Sequence, residues 1–256
     1  LLGEPEEAVA RSRDAVQLAR DGSQPSTLVL ALHFAAVLHQ FRGDPDTVRE
    51  YASANLAVAI EHRFAFWQAG VTVLLGWAGA ATGAEGTVLL EQGIEAWRAT
   101  GSRTYPAYFF VLLADARSRG GDTDGALAAL DEADRVGAVT RERLCESEVH
   151  RLRGELLAGR STGRAEASLR TAVTTACAQQ ARALELRAAL SLARFLRDRA
   201  PNEARAVLVT ATTPTGGLRN TPEMAEALAL LRSCALVLND LAPDVPEQPG
   251  SRPGTH

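Results

Sequence analysis

From Ala107 the chain reads AYFFVLLADARSRGGDTDGALAALDEADRVG, and its small and apolar residues fall in a fixed order. Leu113-Ala114 close one apolar run, Gly121-Asp122 break it, and Ala126, Leu130 and Ala133 then recur at the spacing of one helical face. Two helices joined by a tight turn are predicted, with small residues where they cross. The same marks recur along the chain. The small residue of the first helix returns at Ala35, Gly76, Ala114, Gly154 and Ala193, spaced 41, 38, 40 and 39. The one opening the second helix returns at Ala8, Thr47, Gly86, Ala126, Ala165 and Ala204, spaced 39, 39, 40, 39 and 39. The one closing it returns at Ala15, Ala54, Gly93, Ala133 and Ala172, spaced 39, 39, 40 and 39. Three series sharing one period define a repeat of about 39 residues and roughly twelve helices.

Boundary signals fit this frame. Asp44-Pro45-Asp46 and Thr221-Pro222-Glu223 open helices, and Gly22 and Gly101 follow others. Residues 1–22 supply only the second helix of a pair, from Pro5 to Arg20, so more chain is expected ahead of Leu1. The repeat array covers 23–212, a C-terminal helix or cap 213–241, and the Pro/Gly-rich stretch 242–256 is expected to be disordered.

Composition strengthens the helical reading. All 27 basic residues other than histidine are arginine, aromatics make up 5%, and Ala and Leu dominate. Without lysine the chain can hold neither a phosphate-binding P-loop nor a Schiff base. The apolar stretches Leu28–Leu38 and Val71–Ala81 are 11 residues each, against the about 18 needed to span a bilayer, so no membrane partner is expected. Cys145, Cys177 and Cys234 are too few for a disulfide framework; they read as small buried residues in a reducing, cytoplasmic protein.

The repeat resembles the tetratricopeptide unit, although its period exceeds the about 34 residues of the standard form. The segments LALHFAAVLHQF, GWAGA, EQGIEAWRATG, VHRLRGELL and LELRAALSLARFL look like the C-terminal tetratricopeptide region of large bacterial signalling proteins. In those, an adenylate/guanylate cyclase or a DNA-binding domain precedes a STAND-type ATPase and then the array. The likeness covers about residues 1–210. It implies an all-α, right-handed superhelical solenoid of antiparallel helix pairs, acting as a protein-interaction or sensor arm that restrains an ATPase and an output domain. The partner would be a protein or peptide, including the ATPase or effector domain of the same polypeptide.

In such a solenoid the first helix of each pair lines the concave face. The frame points His39, Trp77, Tyr108, Asp115, Arg151, Glu155, Arg187, Arg194 and Arg197 into that groove. Charge grades along it: 11 Arg face 18 acids over 1–140, and 12 Arg face 7 acids over 141–199. The basic part could clamp carboxylates through bidentate guanidinium contacts, or be a solvated face with internal pairs such as Arg151 to Glu155. Trp77 could stack on a small-molecule effector, whereas Trp67 and Trp97 read as packing residues and His33 as a satisfied core residue.

No metal-ligand spacing accompanies Cys145 and His150, there is no G-x-S-x-G or H-E-x-x-H, and Gly76, Gly79, Gly83 and Gly86 lie in a helical pattern rather than after a strand. No cofactor and no catalysis by this chain are expected. A net charge of −4 and a basic segment laced with acids argue against nucleic acid as a partner. Two other readings remain, a small-ligand sensor and a free-standing adaptor.

Overall fold

A computed structural model describes residues 3–104, 106–213 and 216–240, and the stretch expected to be disordered, 242–256, lies outside them. The described residues form α1 (Pro5–Asp21), α2 (Pro25–Phe41), α3 (Pro45–Glu61), α4 (Ala65–Ala80), α5 (Ala84–Ala99) and α6 (Pro106–Arg119). These are followed by α7 (Thr123–Thr140), α8 (Glu146–Leu157), α9 (Thr162–Ala178), α10 (Arg182–Leu196), α11 (Pro201–Thr212), a 3₁₀ helix (Gly216–Asn220) and α12 (Pro222–Asp240). Among the described residues there is no strand, and no helix is long and apolar enough to cross a membrane.

Local chemistry sets the ends. Proline occupies the first turn of α1, α2, α3 and α11, where its missing N–H costs nothing. Asp44 caps α3 by accepting the Thr47 N–H at 3.1 Å, and Asp122 caps α7 by accepting that of Gly125 at 2.9 Å. Gly101 and Gly121 take positive φ in the turns behind α5 and α6, a conformation cheap only for glycine.

Successive helices pack as antiparallel pairs: α2 on α3, α4 on α5, α6 on α7, α8 on α9 and α10 on α11. The small residues sit at the crossings. A Cβ on Gly86 would overlap the backbone of Ala80, one on Gly76 the backbone of Leu90, and one on Gly93 would lie 2.7 Å from the Val73 nitrogen. Only glycine lets α4 and α5 approach this closely, and Ala114, Ala126, Ala165, Ala193 and Ala204 occupy equivalent buried positions in later pairs. The chain is an all-α helical repeat solenoid.

The first helices also touch one another in series, α2 to α4, α4 to α6, α6 to α8, α8 to α10 and α10 to α12. This inner row carries much of the core, including Leu32, Leu74, Phe109, Leu112, Leu186 and Leu190. The array curls until its two ends meet: Phe41 packs on Ala176, Ala181 and Leu184, and the Gly217 N–H reaches the Glu4 carboxylate at 3.3 Å.

Candidate functional site

The inner row is where the sequence places its groove; the structure buries the part of it around His39, Trp77 and Tyr108, while Glu155, Arg194 and Arg197 stay exposed. His39, Trp77 and Tyr108 are buried, and the expectation that they face an open concave surface is corrected. Their polar atoms are spent within the chain. The Trp77 indole Nε1 donates to Asp115 Oδ2 at 2.9 Å, and Arg119 donates to the same oxygen at 2.9 Å while lying over the indole ring. Two residues expected to greet a ligand therefore satisfy each other. Stacking of a small effector on Trp77 has no open face to use.

Tyr108 stacks on Phe41 with ring centroids 5.7 Å apart, and its hydroxyl donates to Gln40 Oε1 at 2.9 Å, tying α6 to the end of α2. Burial pushes the Tyr108 hydroxyl well above its ordinary pKa, with Cys145 adding to the effect. The Cys145 thiol is likewise held far up, by burial first and then by Glu148 and Glu142. Both stay protonated, so neither is a nucleophile at neutral pH. His39 hydrogen-bonds Asp44 at 3.3 Å, and burial nevertheless holds its pKa below the ordinary value.

The basic stretch is paired rather than free. Arg151 binds Glu148 and Glu155, each at 2.9 Å. Burial alone would raise the Glu148 carboxyl, but the Arg151 and Arg187 guanidiniums beside it hold it below the usual carboxylate range. Arg187 also donates to the Phe41 carbonyl at 2.7 Å and to Glu223 at 3.3 Å, closing the two ends of the array on one guanidinium. Arg194 pairs with Glu226, and Arg197 with its neighbour Asp198. The carboxylate clamp expected of Arg151, Arg187, Arg194 and Arg197 is thus already filled by the protein's own acids.

Other expectations fare differently. Trp67 and Trp97 join Phe66 and Phe109 in a packed aromatic cluster, with Phe66 and Trp97 ring centroids 4.3 Å apart. His33 is buried against Phe34 and Trp67, but its Nδ1 has no hydrogen-bond partner, which corrects the reading of a satisfied residue. Cys145 and Cys234 are buried, whereas Cys177, at the end of α9, faces solvent.

Two of the concavities among the described residues lie at the ends of the array. One, of about 210 Å³, lies in the seam where the ends meet, between Phe41, Arg42, Leu184, Arg187, Leu218 and Glu223. The other, of about 650 Å³, is an apolar trough between α1 and α2, lined by Ala8, Ala15, Leu18, Leu30, Ala31 and Phe34. Sequence reasoning missed the seam, whose contacts join residues as far apart as Phe41 and Arg187. The flank of α1 that forms the trough was legible in the sequence as that of a second helix, Pro5 to Arg20, with no first helix before it in the frame.

The class defined by this architecture is the helical repeat solenoid. No family model and no curated protein matches the chain. Among solved structures it is similar to the crystal structure of BtubC (BKLC) from P. vanneervenii, with a TM-score of 0.51 and 16% identity over 98% of this chain and 96% of that one. At that identity the likeness is one of fold.

Proposed function

We propose that this chain is a protein-interaction and regulatory module, the sensor arm on the C-terminal side of a multidomain signalling ATPase linked to a cyclase or a transcription regulator. The interaction reading rests on one observation. Leu18, Leu30 and Phe34 are 74%, 44% and 44% exposed on adjoining faces of α1 and α2, an apolar surface that a protein partner would cover. The docking surface on this reading is the trough rather than the concave groove. The ATPase context is supported by the resemblance of LALHFAAVLHQF, VHRLRGELL and LELRAALSLARFL to the arrays of such proteins. On this reading the module acts by contact.

Sequencing the coding DNA on the 5′ side of the Leu1 codon tests the ATPase context. An in-frame phosphate-binding loop of the form G-x-x-x-x-G-K-[ST] supports it, and a reading frame without one contradicts it.

A further inference from the structure

Three residues join α3 to α4 (62–64) and α9 to α10 (179–181), whereas six (100–105) join α5 to α6. The longer turn lets α5 stand off α6, and these two lie together less closely than α3 with α4 or α9 with α10. A cavity of about 220 Å³ opens where the end of α5, the start of α6 and the end of α7 converge, in the middle of the array. Its walls are apolar: Ile94 and Trp97 from α5, Phe109 and Phe110 from α6, Val136 and Val139 from α7. Val139 is 61% exposed and marks the mouth.

The rim is cationic. Arg98, Arg103 and Arg135 line the same cavity. Arg98 and Arg135 share one acid, Glu132, at 2.9 and 2.7 Å, and Glu95 lies 3.8 Å from Arg98. Arg103 donates to the Val139 carbonyl at 3.4 Å and forms no ion pair among the described residues. Three guanidiniums thus meet two carboxylates, and one positive charge is left over at the mouth. The Arg98 guanidinium lies over the Phe110 ring, 5.0 Å from its centroid, which holds it against the apolar wall.

An independent observation concerns the wall itself. Trp97 is 2% exposed, and its Nε1 has no hydrogen-bond partner among the described residues. The indole sets its Cζ3 corner so close to α4 that a Cβ on Gly70 would lie 2.9 Å from it. Nε1, at the opposite corner of the ring system, therefore turns away from α4, towards the side of α6 and α7 on which the cavity lies. A buried donor without an acceptor is costly, and an oxygen carried in by a ligand removes that cost.

We infer that this cavity binds a small amphipathic monocarboxylate, its apolar body against Phe109, Phe110 and Val136 and its carboxylate turned to Arg103 and the Trp97 N–H. Guanidinium suits a carboxylate in both charge and geometry, and the apolar walls reward a hydrocarbon or aromatic body. Such a ligand would brace α5 against α7 across the gap that the long turn leaves.

Calorimetric titration of the whole 256-residue chain with octanoate, 1-octanol and octylammonium tests this, because the three share one apolar body and differ in charge. Octanoate should bind at one site, with 1-octanol about tenfold weaker and octylammonium weaker still. Arg103 is exposed, so Arg103→Ala should keep the circular dichroism of the wild type while weakening octanoate about tenfold and leaving 1-octanol unchanged. Phe34→Asp, which alters the apolar trough between α1 and α2, should leave octanoate binding as it was. No binding of octanoate overturns the inference, as does an affinity for 1-octanol or octylammonium that matches it. Octanoate binding that survives Arg103→Ala in full, or that is lost in Phe34→Asp, places the ligand elsewhere and overturns it too.

Discussion

His33 offers a sharp test of how the inner row is packed. Its ring lies 5.6 Å from Phe34 and 5.3 Å from Trp67 between centroids, and its Nδ1 has no partner. Burial lowers its pKa from 6.5 to about 4. Between those values the unfolded chain binds a proton that the folded chain refuses, so stability falls as the pH drops from 6.5 towards 4. Above that window both states are neutral at this residue, and below it both are charged. The gap between the two pKa values corresponds to about 3 kcal/mol, a large share of the stability of an ordinary domain. Chemical denaturation of wild type and His33→Leu at about pH 7.5 and about pH 4.5 isolates this contribution. The paired carboxyls of Glu148, Asp44 and Glu132, all held below their ordinary range, also weaken on acidification, but they do so in both proteins and cancel in the comparison. The expected result is a wild type that loses about 2 to 3 kcal/mol more than the variant across that pH interval. Equal losses would refute the buried, uncharged histidine and with it the closed packing of α2 on α4.

Other consequences are equally direct. Gly86→Ala forces a methyl group into the Ala80 backbone and should cost about 1–3 kcal/mol or more, while Gly83→Ala, which meets nothing within 4 Å, should cost nothing measurable; thermal unfolding separates them. Trp77→Phe removes the N–H that Asp115 accepts and should lower stability by about 1–2 kcal/mol in urea titrations. Arg187→Ala strips Glu148 of one of its two guanidiniums and releases the Phe41 carbonyl, so it should cost about 2–4 kcal/mol and speed hydrogen exchange at the end of α2. Arg194→Ala removes only an exposed pair with Glu226 and should change stability by less than about 1 kcal/mol.

The helix pairs were legible because close crossing of helices restricts residue size at fixed intervals. Gly76, Gly86, Ala114, Ala126, Ala165 and Ala193 record that restriction directly. Curvature left no such mark. Whether the inner face is an open groove or a filled core depends on small rotations summed over five pairs, and no single residue encodes their total. Trp77, Tyr108 and Arg187 lie on the inner row, but the ends of the array meet over them, so residues that looked like ligand contacts became packing and latch residues. Arg151 shows the same ambiguity at short range: its spacing from Glu155 gives the i, i+4 pair that the structure contains, and only burial beside Glu148 reveals its tie to the seam.

The central claim, that the array closes end to end over a filled inner face, is tested most directly by one distance. Spin labels at Arg42→Cys and Asn220→Cys, both at the seam, would be introduced with the exposed Cys177 changed to Ser. Double electron–electron resonance should then give one narrow distance within about two helix diameters, ~20 Å. A broad distribution centred several helix diameters apart would mean an open superhelix with an accessible groove, and would contradict the account.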